Sequence, residues 1–377
     1  MKVMVSQPQL AHGLNLVSKA VSPRSTLPVL ANILIATEDD GRLRLSATNL
    51  EQGITAWIPM QGSDGTLTTT IPARIFQDLV NTLPSEMVTL DLPENSMNLT
   101  VSCGYSVTSI NCIDAIEFPP MPVPDLSEAV ELNISDFKEM IQQVAFAASS
   151  DDARPVLQGV SLNINDNEVT LAATDGFRIS VRKASLSSSI PNPISAIIPS
   201  RALTELARIA TDGDKTVQMA LPKGRGQVIF HLKDAELVSQ LIEGNFPDYR
   251  VIIPRSSKTR TILSTGQFRE ACKRSEIIAR ESNNVVRLNI QPAEGGPGAV
   301  LIHATSEETG NTEDRVEANV EGPELLIAFN VQFLNQVLDV IHSSEFSLET
   351  NANNTPGLIR PMGDDSFEHV IMPMHLG

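Results

Sequence analysis

Aromatic residues, basic residues and cysteines are all scarce in this chain of 377 residues. Only 4% of its residues are aromatic, which makes base stacking a poor candidate mechanism. The chain has 28 basic and 45 acidic residues, and its net charge of −17 argues against tight binding to phosphates. No apolar run approaches membrane-spanning length, and the three cysteines lack metal or redox spacing. We expect a cytoplasmic protein with buried thiols at Cys103, Cys112 and Cys272.

Reaction motifs are absent as well. The chain has no phosphate-binding loop, no His-Glu-x-x-His zinc motif and no Gly-x-Ser-x-Gly nucleophile elbow. Acidic pairs such as Glu307 and Glu308 are typical of solvated loops. The histidines have no ligand spacing and are expected to be surface or partly buried residues, at positions 12, 231, 303, 342, 369 and 375. The sequence therefore predicts a protein that is not an enzyme and holds no metal or cofactor.

Helical stripes recur at a fixed spacing along the chain. Their first apolar residues form three pairs, each 66 residues apart: Leu10 and Phe76, Phe137 and Leu203, Phe268 and Leu334. The threonines that end apolar, strand-like runs are spaced by 126 and 131 residues, at Thr48, Thr174 and Thr305. A period that spans a whole chain indicates repeated structural units. The sequence therefore predicts three copies of one domain, each built from two half-copies.

Each half-copy has the pattern of one helix and about four strands without long crossovers. This order predicts an α+β fold whose antiparallel sheets carry helices on one face. Four prolines fall within residues 118–124, a composition that favours an extended spacer between domains. We place the three domains at residues 1–124, 125–254 and 255–377.

The acidic excess is not spread evenly. The six predicted helices contain nine basic and seven acidic residues, although acidic residues dominate the whole chain. The excess acid therefore lies on strands and loops. Chance in a small sample is one explanation, and a helical surface that tolerates an anion is the other.

Three stretches carry a resemblance to a known family: residues 173–178 (Ala-Thr-Asp-Gly-Phe-Arg), 244–250 (Gly-Asn-Phe-Pro-Asp-Tyr-Arg) and 370–376 (Val-Ile-Met-Pro-Met-His-Leu). Over its whole length the chain resembles the bacterial sliding clamps, the β subunits of DNA polymerase III. The resemblance implies the DNA clamp fold, with two β-α-β-β-β half-repeats per domain. It also implies a head-to-tail homodimeric ring with helices inside and sheets outside. Such a ring is a processivity factor that encircles duplex DNA without sequence specificity.

Simple geometry favours two chains over one. Helices pack about 8–10 Å apart, so six of them in one ring would leave a hole of roughly 10 Å. A duplex is on the order of 20 Å wide and would not fit. Twelve helices leave roughly 28 Å, which is enough. A ring also explains the acidic charge, because topology rather than affinity retains the DNA.

The resemblance implies two sets of functional residues. The DNA-facing candidates are Arg24, Arg74, Arg154 and Arg201. The best-studied clamps carry aromatic residues where this chain has Pro155 and Val156. The other set is a partner-peptide pocket formed by Leu157, Thr174, Gly176, Phe177, Arg178, Ile179, Pro247, Asn330, Phe333, Val370, Ile371, Met372, Pro373, Met374 and Leu376.

That pocket is implied to receive short linear motifs containing Gln, Leu and Phe. The partners would be the replicative DNA polymerase, the clamp loader, other polymerases and mismatch-repair proteins. Phe177 and Val251 replace the His and Arg that are common in the family, so peptide preference is expected to shift. Two other hypotheses stay open at this stage: an enzyme built from pseudo-symmetric halves, and a repeat scaffold that binds only proteins.

Overall fold

One order of elements, strand–helix–three strands, occurs six times in the computed structural model. The structure describes residues 1–22, 25–94, 96–211 and 213–375. Within those ranges the only strand outside the repeat is a three-residue strand in the first domain. The predicted α+β architecture of β-α-β-β-β half-repeats is confirmed.

The first domain begins with β1 (Lys2–Ser6), α1 (Gln7–Val17), β2 (Asn32–Thr37), β3 (Arg42–Thr48), β4 (Gln52–Pro59) and the extra β5 (Gly62–Asp64). Its second half comprises β6 (Thr68–Pro72), α2 (Ala73–Thr82), β7 (Met87–Asp91), β8 (Asn98–Cys103) and β9 (Ser106–Asn111).

The second domain begins with β10 (Val130–Asn133), α3 (Ile134–Val144), β11 (Gly159–Asn165), β12 (Glu168–Thr174) and β13 (Arg178–Ser185). Its second half comprises β14 (Ile194–Pro199), α4 (Ser200–Ile209), β15 (Thr216–Ala220), β16 (Gln227–His231) and β17 (Ala235–Gln240).

The third domain begins with β18 (Thr259–Ser264), α5 (Thr265–Ala279), β19 (Val285–Gln291), β20 (Gly298–Ser306) and β21 (Gly310–Glu321). Its second half comprises β22 (Leu325–Asn330), α6 (Val331–Asp339), β23 (Glu345–Thr350), β24 (Gly357–Pro361) and β25 (Phe367–Ile371).

Helices start directly where strands end, and in α1, α5 and α6 the N-cap side chain accepts a hydrogen bond from a free amide of the first turn. Ser6 accepts a hydrogen bond from Gln9 N, and Asn330 accepts one from Gln332 N at 2.9 Å. The sequence predicts a first helix from Pro8 to Val21 and a fourth helix with Pro199 in its first turn, and both of these ends are wrong by a few residues. The first helix stops at Val17 and continues as a 3-10 turn, and Pro199 ends a strand instead of opening α4.

The described strands form three sheets in two compact units, and every pairing between them is antiparallel. Unit 1 (Met1–Ser135 and Glu205–Leu241) holds a sheet of order β5-β1-β7-β8-β9 and one of order β10-β15-β16-β17-β4-β3-β2-β6. Unit 2 (Asp136–Thr204 and Ile242–Gly377) holds a sheet of order β14-β11-β12-β13-β25-β24-β23-β18-β21-β20-β19-β22.

Within each unit, strands from successive domains pair with each other. In unit 1, β4 pairs with β17 and places Ile54 opposite Leu237. In unit 2, β13 pairs with β25 and places Ser180 opposite His369. These two pairs occupy the same position of the repeat. We call the two pairings the first and second junctions; the first includes β17 in the sheet of β10, β15 and β16, and the second includes β13 in the sheet of β14, β11 and β12.

Burial follows the predicted repeat. All six helix anchors named above are at most 1% exposed, and Phe268 and Leu334 share one core cluster with Phe346. The three cysteines are buried, and burial raises the pKa of the Cys272 thiol far above its ordinary value. No helix among the described residues is long and apolar enough to cross a membrane.

Candidate functional site

The turn between β12 and β13, residues 174–178, is held by its own side chains. Thr174 Oγ1 donates to the carbonyl of Arg178 at 2.7 Å and accepts from Gly176 N at 3.0 Å. Asp175 Oδ1 accepts from Phe177 N at 2.9 Å and from Arg178 N at 3.1 Å. Gly176 has φ +93°, a left-handed conformation that suits glycine. The turn leaves the Phe177 ring 59% exposed.

The same turn occurs at residues 48–52 in the first domain. Thr48 Oγ1 donates to the Gln52 carbonyl at 3.0 Å and accepts from Leu50 N at 3.0 Å. Asn49 Oδ1 accepts from the backbone amides of Glu51 and Gln52, two and three residues ahead, as Asp175 does from those of Phe177 and Arg178. Here the left-handed position is Leu50, with φ 76°, and such a conformation costs a leucine about 1–2 kcal/mol. The hydrogen bonds of the turn hold it in place.

Arg178 connects the turn at residues 174–178 to two other segments. Its Nε lies 3.0 Å from Asp175 Oδ2, one terminal nitrogen donates to the Phe146 carbonyl at 2.8 Å, and the other donates to Gln336 Oε1. The guanidinium also lies 4.3 Å from the Phe333 ring centroid. Burial lowers the pKa of Arg178 from its ordinary value, and Asp175 opposes that shift. Because its side chain is only 6% exposed and already paired, Arg178 holds these segments together and is not a free charge for a ligand.

The C-terminal segment runs beside this turn. After β25, Met372 N donates to the Phe177 carbonyl at 2.8 Å, and Met374 N donates to the Ala328 carbonyl at 2.8 Å. The sequence predicts a final strand from Phe367 to Met374, but β25 ends at Ile371 because the chain then leaves β13 and bridges to β22. Met372 is 37% exposed, whereas Val370 and Ile371 are at most 1% exposed.

The structure thus separates the predicted pocket residues into two groups. Exposed or half-buried members form what we call the tail surface: Leu157, Gly176, Phe177, Pro247, Asn330, Phe333, Met372, Pro373 and Met374. Buried members support it from below: Thr174, Arg178, Ile179, Val370 and Ile371. Leu376 lies outside the described residues. All described members belong to unit 2.

A fully buried histidine lies beneath the tail surface. His369 Nδ1 lies 2.7 Å from Ser180 Oγ, its ring stacks on Phe146 at 5.6 Å, and its Nε2 has no hydrogen-bond partner among the described residues. Burial, with the nearby charge of Arg178, lowers the pKa of His369 to about 3. The expectation that every histidine is at the surface or partly buried was wrong here. His369 alternates with Phe367 and Ile371 on one face of β25, and this pattern could have predicted its burial.

The DNA-facing candidates lie elsewhere on the repeat. Arg74 and Arg201 each precede the buried helix anchor by two residues, and the Arg74 side chain is 95% exposed and 3.9 Å from Asp78. Arg154 pairs with Asp151 at 3.1 Å and donates to the Asp175 carbonyl at 3.1 Å, which ties it to the turn at residues 174–178. Arg24 lies outside the described residues. Within residues 1–22, 25–94, 96–211 and 213–375, no cluster of three His, Cys, Asp or Glu side chains could hold a metal.

Comparisons with known proteins cover the whole chain. Family models of the DNA polymerase III beta subunit match residues 1–122 (N-terminal domain), 131–248 (central domain) and 250–375 (C-terminal domain). The beta sliding clamp of Bacillus subtilis is 32% identical over 384 residues, covering 99% of each chain, and that of Synechococcus elongatus is 32% identical over 380 residues, covering 100% of each.

Solved structures agree with these matches. The DNA polymerase sliding clamp of B. subtilis superposes with a TM-score of 0.92 at 30% identity, over 100% of both chains. A Pseudomonas aeruginosa sliding clamp bound to griselimycin gives a TM-score of 0.92 at 28% identity, again over 100% of both chains. The predicted domain boundaries at 124/125 and 254/255 stay predictions.

Replacing His369 tests its burial in the neutral form. Below pH 6.5 His369 binds a proton in the unfolded chain but stays neutral in the folded protein, where its pKa is about 3. Unfolding free energy should therefore fall by about 1.4 kcal/mol per pH unit as pH drops from 6.5. The His369→Asn variant should lack this part of the pH dependence in urea titrations at pH 7, 6 and 5. The exposed His12→Asn variant is the control, and equal slopes in all three proteins would contradict the assignment.

Proposed function

Because the chain belongs to the DNA polymerase III β-subunit family, we propose that it acts as a sliding clamp in DNA replication. It is a processivity factor that encircles duplex DNA without reading its sequence and tethers the replicative polymerase, and it catalyses no reaction itself. The observation that carries this function is the sixfold β-α-β-β-β repeat, which matches a solved clamp over 100% of both chains.

Ring formation is supported by two free strand edges. Strand β9 pairs with β8 on one side and with no other strand among the described residues. Residues 311–317 of β21 pair with β20, whereas β18 meets β21 only from Ala318 onward. In the repeat, β9 corresponds to β17 and β25, and β21 corresponds to β4 and β13. We therefore propose a third junction, between β9 of one chain and β21 of another. Each chain has one edge of each kind, so two chains close head to tail.

The repeat also gives the register of this interchain junction. The residues that correspond to the Ile54–Leu237 and Ser180–His369 pairs are Thr312 of β21 and Thr108 of β9. Thr108 would then face the partner's Thr312, and Val107 would face the partner's Glu313. Val107 is 69% exposed in the single chain, which is consistent with a contact made only in the dimer.

A charge at Val107 should weaken the dimer. Val107→Glu places two carboxylates opposite each other at both interfaces, which costs about 1 kcal/mol at each and about 30-fold in the dimer dissociation constant. Sedimentation equilibrium measures this change. The Val123→Glu variant, at a valine that is 84% exposed, is the control. Combining Val107→Glu with Glu313→Lys should restore the dimer, and failure of that rescue would refute the register.

DNA contact is proposed for the arginines of the ring interior. Arg74 and Arg201 occupy equivalent helix positions, and no side-chain partner for Arg201 is seen among the described residues. Arg24 and Arg154 complete the set. Such contacts to phosphates hold the duplex without sequence preference. Because the ring retains DNA by topology, a few weak contacts are sufficient.

Removing these arginines should reduce the salt dependence of DNA contact. Each lost phosphate contact lowers the slope of log K against log salt by about 0.9, so Arg24→Ala, Arg74→Ala and Arg201→Ala together should lower it by about 2–3. Fluorescence anisotropy with a short open duplex measures the slope. A variant with Arg225→Ala and Arg255→Ala, two exposed arginines, is the control. An unchanged slope in the triple variant would exclude these residues.

We propose that the tail surface is the docking site for partner proteins. The replicative polymerase, clamp loader, other polymerases and mismatch-repair proteins would insert short motifs with Gln, Leu and Phe. The exposed Phe177 ring and the Met372 and Met374 side chains supply an apolar, adaptable surface. The two backbone hydrogen bonds of the C-terminal segment and the buried Arg178 keep this surface in one conformation.

A charged residue on the tail surface should block peptide binding. Met372→Asp puts a carboxylate among apolar contacts and should weaken a fluorescein-labelled Gln/Leu/Phe peptide at least about tenfold, since about 1.4 kcal/mol is tenfold. Fluorescence polarisation gives the affinity, and sedimentation shows whether the dimer is retained. Met97→Asp is the control, because Met97 is 46% exposed in another domain. Equal peptide affinity in both variants would remove the tail surface from the interaction.

A further inference from the structure

Unit 1 contains a cavity of about 560 Å³, which we call the junction cavity. This volume falls within the range of small-ligand sites, about 300–1,000 Å³. Its walls come from α1, the start of β3, the end of β4, the end of α4 and the turn between β16 and β17. The residues used below are Pro8, Trp57, Ile58, Ile209, Asp214 and Asp234. None of them belongs to the tail surface.

The cavity exists because two small residues meet at the first junction. Ala56 lies opposite Ala235, two residues along the ladder from the Ile54–Leu237 pair. The corresponding pair at the second junction is Arg182 and Phe367. Two alanines in one copy therefore leave the space that an arginine and a phenylalanine fill in the other.

At the second junction the filling side chain is a guanidinium held by carboxylates. Arg182 forms an ion pair with Asp364, lies 3.8 Å from Glu139 and is 14% exposed. Burial alone would raise the pKa of Asp364, but hydrogen bonds from Ser366 and Arg182 hold it below its ordinary value. At the second junction, therefore, a guanidinium occupies the position of the repeat that Ala56 has at the first junction.

The junction cavity keeps the surroundings that an arginine side chain needs. The Asp234 carboxylate is exposed, and the described residues give it no hydrogen bond or ion pair. Asp214 is at the same wall, fixed by hydrogen bonds from Thr211 and Lys233. Pro8, Ile58 and Ile209 offer apolar surface for an aliphatic stem.

Trp57 adds a second kind of contact. Its indole already carries one guanidinium, since Arg42 lies 5.5 Å from the ring centroid while it pairs with Asp40 at 2.7 Å. Arginine stacks on aromatic rings better than other cations because its guanidinium is planar and weakly hydrated. Arg42 also lines the cavity but is paired with Asp40, whereas the described residues give the Asp234 carboxylate no counter-ion, which favours a cation over an anion as the ligand.

We propose that the junction cavity binds an arginine side chain from a partner protein, with the guanidinium at Asp234 and Trp57 and the stem along Pro8, Ile58 and Ile209. The partner thereby supplies the group that Arg182 supplies at the second junction. This site is separate from the tail surface, because its residues belong to unit 1 and those of the tail surface belong to unit 2.

The only tryptophan of the chain, Trp57, reports on the cavity directly. N-acetyl-arginine-N-methylamide, titrated into the full-length protein, should change Trp57 fluorescence with saturation. N-acetyl-citrulline-N-methylamide has nearly the same shape without the charge and should bind at least about threefold more weakly. Equal responses to the two probes, or no response to either, would overturn the proposal.

Two variants locate the binding. Asp234→Asn should weaken the arginine probe about threefold and leave the citrulline probe unchanged. Asp64→Asn, at an exposed aspartate on β5, is the control and should change neither. Ala56→Arg, which copies Arg182, should abolish the response by filling the cavity from within. If Ala56→Arg does not fold, the Asp234→Asn comparison decides: an unchanged arginine affinity overturns the proposal. No DNA is present, so the result is independent of the clamp function.

Discussion

Antiparallel pairing between strands of successive domains is the interaction on which the other features depend. Its register determines which face of the sheet each side chain lies on, because successive residues of a strand face opposite sides. One step of the ladder holds Ile54 and Leu237 at the first junction and the buried Ser180–His369 pair at the second. Two residues along, the same register produces an open cavity in one copy and a filled, charged contact in the other. The backbone is repeated, and its side chains have diverged.

The repeat and the order of elements could be predicted from sequence because they depend on local periodicity. The six helix anchors needed only the spacing of apolar residues, and all of them are buried. Errors occurred where a strand or helix ends for tertiary reasons. The last strand stops at Ile371 because Met374 bonds to Ala328, a residue far away in the chain.

The sequence motifs around Thr174 and Met372 indicated two segments that lie side by side in the structure, as the hydrogen bond from Met372 N to the Phe177 carbonyl shows. Their role in a docking site stays a prediction. Arg178 is buried and connects three segments because it contacts Phe146, Gln336 and Phe333. These residues are distant in the chain, so no local sequence pattern predicts the contacts. The junction cavity was missed for the same reason, since its cause is the meeting of two alanines 179 residues apart.

The free edges of β9 and β21 have a consequence for how a ring would open. The two junctions inside a chain are held by covalent continuity, so their strands meet at an effective concentration of about millimolar or more. The proposed junction between chains has the same architecture without that advantage, and it must also offset the lost translational and rotational freedom of a free chain. The proposed ring has three similar junctions per chain, and the weakest of them is therefore the one between chains. A protein that opens the proposed ring would need to recognise no special hinge, because the junction between chains lacks covalent continuity and separates first.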